Sequence, residues 1–148
     1  MQRIVFNQDL RTGNRYIDLQ HQDLIDIIND FGEALARHAS MSEVQAILVR
    51  LAQYVQFHFK HEEREIVRNS LDGVHAEAHS AQHREFERRV QTAIDALGES
   101  ALLTTKDAQA LLRYLESWLT SHIAHTDKQL ASELRAATSK GHRSGGRS

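Results

Sequence analysis

The stretch HAEAHSAQH places His75, His79 and His83 at steps of four, a spacing that stacks side chains on one face of an α-helix. His58 and Glu62 also stand at a step of four, His122 and Asp127 at a step of five, and His21 closes the run IDLQH. Imidazoles and carboxylates at such intervals can hold a metal ion, and this ligand type suits iron, manganese or zinc alike. The chain has ten histidines and no cysteine. Disulfides, thiolate metal sites and a cysteine nucleophile are thereby excluded.

Such residues act together only if helices aim them at one place, and the apolar periodicity predicts four. From Ile17, inward-looking positions fall at 17, 21, 24, 28, 31 and 35, the three-and-four spacing of an amphipathic helix, with Asp18 placed to cap its start and Ile17 just outside it. A second helix begins near Ser40, where Ser40 and Glu43 fit a capping box, and carries Val44, Leu48, Leu51 and Val55 before stopping in NSLDG. The third runs from about Val74 to Leu97, ahead of Gly98, with Phe86, Val90 and Ile94 on its stripe. The fourth starts at Thr104 or Asp107 and carries Leu111, Leu115, Trp118, Leu119, Ile123, Leu130 and Leu134. Four long helices joined by short loops predict an all-α, antiparallel up-down-up-down four-helix bundle. Residues 1–16 read as an irregular arm folded over it, within a domain spanning 1–137. The Gly, Ser and Arg-rich segment 138–148 reads as a disordered tail.

The apolar stripes do not stay apolar. The row 44, 48, 51, 55 continues without a change of phase into His58 and Glu62. His21 is in phase with Leu24, Ile28 and Phe31, and His79 and His83 are in phase with Phe86 and Val90. His122 follows the row of Leu115 and Trp118, while Asp127 follows the adjacent row of Leu119, Ile123, Leu130 and Leu134. A lone histidine on an apolar face is more often a satisfied core residue than a ligand, but seven such side chains on four helices need a common partner. A buried, unpaired carboxylate costs several kcal/mol or a large pKa shift. Five imidazoles and two carboxylates exceed one tetrahedral zinc and suffice for two metals that share bridging carboxylates. His38 sits roughly 25 Å along the helix from His21 at 1.5 Å per residue. His61, His125 and His142 lie off the stripes or in the tail, so these four are expected to be solvated.

Composition narrows the class. Eighteen Lys and Arg against twenty Asp and Glu leave a formal charge of −2, without the basic excess that nucleic acid binding needs. No stretch approaches the ~20 apolar residues of a membrane span, and Met1 to Leu10 has no apolar signal core. A cytoplasmic protein is expected. Proline is absent, so no ring breaks a helix.

The motifs together resemble the bacterial hemerythrins, from about Thr12 to Leu130. The likeness rests on TG at 12–13, IDLQH at 17–21, HFKHEE at 58–63, HSAQHREF at 79–86 and WLTSHIAHTD at 118–127. It implies a diiron centre in which His79, His83 and His122 hold one iron and His21 and His58 the other. Glu62 and Asp127 would bridge the pair, with an oxo or hydroxo group as the third bridge. Three imidazoles and three bridges fill six positions on the first iron; two imidazoles leave one position open on the second, where dioxygen binds reversibly. Leu24, Phe59, Trp118 and Ile123 are expected to form the dry pocket around it. The resemblance also chooses His79 and His83 over His75, because Phe86 stands three residues after His83, where the family has its aromatic. The sequence departs from the family in lacking a tryptophan near position 8, in carrying Ile66 for methionine, and in a longer stretch at 67–78.

The expected function is therefore reversible dioxygen binding by a monomeric, non-enzymatic protein, for storage, delivery or sensing. The alternatives are a diiron oxidase or peroxide-scavenging enzyme, and an iron- or redox-responsive module acting through a protein partner. Carboxylate-rich sites with Glu-x-x-His repeats suit oxidases, and no such repeat lies on the interior stripe here.

Overall fold

A computed structural model describes residues 4–69, 71, 74–98 and 105–145, with side chains at all of these except 74, 75, 98, 105 and 138–145. Its helices are α1 (Arg15–Ala36), α2 (Met41–Arg68), α3 (Val74–Gly98), α4 (Thr105–Ser121) and α5 (Lys128–Gly145). Between α4 and α5 the backbone stays helical but widens into a π segment, His122–Asp127, so the two read as one long rod. No strand occurs among the described residues. α1 packs on α2 and α4, and α3 packs on the same two partners, the neighbour pattern of an antiparallel four-helix bundle. The rod extends through Gly145, into the segment read as a tail.

The helix starts follow local chemistry. Ser40 Oγ accepts from Glu43 N–H at 3.2 Å, as expected, while the Glu43 carboxylate pairs with Arg37. At α1 the expectation is corrected: Asn14 is the cap, its side chain accepting from Ile17 N–H at 3.1 Å, and Ile17 lies inside the helix. Asp18 turns back instead to the arm, where Oδ1 accepts from Thr12 N–H at 2.9 Å and Thr12 Oγ1 at 2.7 Å. The arm is thus shorter than expected, ending at Asn14. Gly13 between them has φ +89°, and a Cβ there would lie 2.3 Å from the Arg135 guanidinium. Only glycine suits that position. At the other end, α1 closes with His38 at φ 56°, while Ala39 N–H donates to Ala34 O at 2.9 Å, a Schellman-type stop made without glycine.

Leu24, Ile28, Phe31, Leu48, Leu51, Phe86, Val90, Leu115 and Leu119 are buried together in the main core, each large side chain contributing roughly 1.5–3 kcal/mol. A smaller cluster of Ile17, Ile66, Leu130 and Leu134 lies along the same helices. The arm is held by Asn29, buried on α1, which donates to Ile4 O and accepts from Ile4 N–H, each at 2.9 Å. Ile4 and Phe6 then pack on the core.

Candidate metal centre

Between the two apolar clusters in sequence order, every helix of the bundle turns polar. His21, His58, Glu62, His79, His83, His122 and Asp127 are all buried, at 0–4% exposure. Their ligand atoms fall into two overlapping groups: Glu62, His79, His83, His122 and Asp127 form one, and His21, His58, Glu62 and Asp127 the other, with the atoms of each within 4.8 Å of one another.

The carboxylates divide between the groups atom by atom. Glu62 Oε1 faces His58 Nε2, and lies 3.9 Å from His21 Nε2, while Oε2 lies 2.9 Å from His79 Nε2 and 3.9 Å from His83 Nε2. Asp127 Oδ2 lies 2.7 Å from His21 Nε2. Its Oδ1 lies 3.1 Å from His79 Nε2 and 3.0 Å from His122 Nε2. These are close approaches without hydrogen-bond geometry: all four carboxylate oxygens, with His21 Nε2 and His79 Nε2, are buried and have no hydrogen-bond partner. His83 Nε2 and His122 Nε2 lie 3.2 Å apart, and carboxylate oxygens and ring nitrogens crowded together in this way are what metal ions would satisfy.

Electrostatics agree. Burial and the charge of Asp127 raise the Glu62 pKa, but His58 and His79 outweigh both and hold it at about 2. Asp127, likewise buried, is held well below the usual carboxylate range by His122 and His21. Burial lowers His79, yet Asp127 and Glu62 raise it to about 10. Burial pushes His83 down to about 2 against the pull of Glu62. Two buried carboxylates thus stay ionised only by drawing positive charge into the core, a role that divalent cations fill without protons.

Facing of His122 and Asp127 comes from the π segment. Residues five apart on an α-helix stand about 140° apart at 100° per residue. An i→i+5 ladder widens the turn by one residue and brings such a pair onto one side. π turns of this kind recur at functional sites.

An aromatic layer backs the imidazoles. Phe59 stacks on His83 with ring centroids 3.8 Å apart and planes 3° apart, and Trp118 stacks on His122 at 4.4 Å and 12°. Phe86 meets both, at 5.8 Å from Phe59 and 4.4 Å from Trp118. Leu24 and Ile123 are buried in the same core cluster as Phe59, against which Trp118, half-buried, is packed. Of the remaining histidines, His38 and His125 are exposed, and His61, partly exposed, lies 4.0 Å from Glu65. The side chains of His75 and His142 lie outside the described residues, so the expectation for each stands as an expectation.

Sequence periodicity missed two contributors. Gln20 Oε1 lies 2.6 Å from His58 Nδ1, and Gln82 Oε1 lies 2.6 Å from His122 Nδ1. Each glutamine precedes a site histidine in the sequence, which puts it off the interior stripe and out of sight of a phase argument. Phe86 was legible as a core residue, but its place in the aromatic layer was not.

An antiparallel four-helix bundle that gathers five imidazoles and two shared carboxylates from all its helices defines a helix-bundle metal-binding protein of the histidine-rich kind. The family model for the hemerythrin HHE cation binding domain matches residues 12–134, and the chain belongs to that family. It is 29% identical over 145 residues to bacteriohemerythrin of Pseudomonas aeruginosa, covering 95% of this chain and 87% of that one. Bacteriohemerythrin of Clostridium acetobutylicum is 25% identical over 128 residues, 84% of this chain and 96% of its own. Among solved structures, a wild-type hemerythrin superposes with a TM-score of 0.77 at 23% identity, covering 88% of this chain and 97% of its own. The fold is therefore that of hemerythrin. Among the described residues no helix is long and apolar enough to cross a membrane.

Proposed function

We propose that the chain binds dioxygen reversibly at a diiron centre. One observation carries the reading: Glu62 and Asp127 each turn one oxygen toward the His21–His58 side and the other toward the side of His79, His83 and His122. Carboxylates so placed are suited to bridge two metal ions, and names such as bacteriohemerythrin among the relatives favour iron as the metal. His79, His83 and His122 would hold one ion, His21 and His58 the other, leaving the second with fewer protein ligands. When bound, a ferrous pair supplies the electrons with which dioxygen is taken up and returned.

The chain's own part is to place and to exclude. Ionised carboxylates and neutral imidazoles must face a bound ion; in the metal-free cluster Asp127 and Glu62 hold a proton on His79, which a bound cation would displace. Leu24, Phe59 and Ile123 are apolar and buried, and with Trp118, stacked on His122, they form an apolar wall of the kind that would shield a bound centre from water and proton donors. A carboxylate-rich donor set would favour oxidase chemistry; five imidazoles to two carboxylates favour a carrier. The protein is read as non-enzymatic, serving storage, delivery or sensing.

The test is to expose dithionite-reduced protein to oxygen and then remove the oxygen while recording optical spectra. Charge-transfer bands that appear and vanish over repeated cycles are expected. A single irreversible oxidation would identify an oxidase or peroxide scavenger instead.

A further inference from the structure

We propose that Gln82 and Gln20 are positioning residues, each setting the tautomer of one imidazole on either side of the centre so that its Nε2 is free to bind metal. The proposal rests on the metal-centre reading above and concerns residues outside the ligand set. Gln82 Oε1 lies 2.6 Å from His122 Nδ1 and accepts from Thr126 Oγ1 at 3.0 Å. Gln20 Oε1 lies 2.6 Å from His58 Nδ1.

A neutral imidazole carries its proton on one nitrogen only. An amide oxygen can only accept, so an Oε1 set against Nδ1 places the proton there and leaves Nε2 as a lone pair. Were the amide turned to present its NH2, the proton would sit on Nε2 and the ring could not ligate. Thr126 Oγ1 donates to the same Gln82 oxygen, tying that oxygen to the turn that carries His122.

The construction occurs twice with the same logic. Gln20 stands beside His21 on α1 and reaches His58 on α2; Gln82 stands beside His83 on α3 and reaches His122 in the π segment. Each glutamine therefore ties a helix that carries one site histidine to a site histidine on the next helix. Nδ1 of His21 and of His83 has no hydrogen-bond partner, in contrast to Nδ1 of His58 and of His122. A neutral acceptor also fixes the tautomer without drawing the proton strongly. A carboxylate in its place would make the imidazole a stronger donor to ferric iron.

The experiment compares Gln82→Leu, Gln82→Glu, Gln20→Leu and Gln20→Glu with the wild type. Histidine tautomers are read by nitrogen–proton correlation in the metal-free protein, metal retention by chelator competition, and the ferric–ferrous midpoint potential by titration. Leucine should abolish the fixed Nδ1–H tautomer of the reached histidine and weaken metal retention by about 10–100-fold. Glutamate should restore retention and lower the midpoint potential. Leucine variants with wild-type tautomers and retention would overturn the proposal, as would glutamate variants that lose metal as readily as leucine ones, since a packing role alone would then suffice. Wild-type metal content tests the underlying reading separately. A chain that holds no metal refutes the centre, and the tautomers of His58 and His122 in the metal-free protein still decide what the glutamines do.

Discussion

At the scale of single residues, Glu62 and His58 differ in what their loss should do. Glu62 offers an oxygen to each group, whereas His58 belongs to one group only. Glu62→Ala should therefore release metal from both positions, and His58→Ala should empty its own side first; iron analysis per chain, with the optical spectrum, checks both. Lining residues should behave otherwise. Trp118 covers His122 by stacking and Ile123 is fully buried, so truncating either opens a path for water without removing a ligand. Trp118→Ala and Ile123→Ala should keep full iron content while the oxygen-loaded spectrum decays to the oxidised form several-fold faster. Unchanged decay in both would take these residues out of the pocket.

At the scale of elements, the rod of α4 and α5 makes a sharper prediction. The π segment accommodates one residue more than an α-helix would between His122 and Asp127. Deleting exposed His125 should convert the segment to α-helix and leave the same two side chains four apart, about 40° from one another at 100° per residue. Metal retention should survive the deletion, with the i→i+5 amide bonds lost by NMR. Loss of metal with helix content intact would show that the wide turn itself shapes the site. The α1–α2 pair can be probed by pH instead. Tyr54 OH on α2 donates to Asp23 Oδ2 on α1 at 2.8 Å, and burial, then the Asp23 carboxylate, raise the phenol's pKa. The folded chain thus holds this proton more tightly than the unfolded chain. The stabilisation is complete below the unfolded value of about 10 and is lost as pH rises beyond it. Tyr54→Phe should flatten the decline of the urea midpoint above pH ~10 and leave it unaltered in slope at pH 7.

For the whole molecule, the site lies within the core that holds the helices together, so metal binding and folding are linked. Two ionised carboxylates with no hydrogen-bond partner are a burden on the metal-free bundle that bound cations would relieve. A ligand bound only by the native state at 100 times its Kd adds about 2.7 kcal/mol. At roughly 2–4 °C per kcal/mol for a chain of this size, the metal-loaded protein should melt about 5–10 °C above the metal-free one. Equal melting temperatures by calorimetry would place the metal outside the core.

Phase on each helix was open to the sequence because burial imposes the helical period on the residue types. That is why spacing alone places His21, His58, Glu62, His79 and His83 inward, beside Leu24, Val55 and Phe86. Periodicity, however, speaks of one helix at a time. Which oxygen of Glu62 faces which imidazole is a relation between helices, and only their packing decided it. His122 and Asp127 lay on adjacent rows by an α-helical count, and the widened turn that brings them to one side does not follow from a period of 3.6. Asn14 displaced Asp18 as the cap because Asp18 found donors in Thr12 and Gly13, a contact set by how the arm folds back. Gln20 and Gln82 were invisible for the same reason: a residue one step off the stripe reaches the neighbouring helix, and its partner exists only once the bundle has closed.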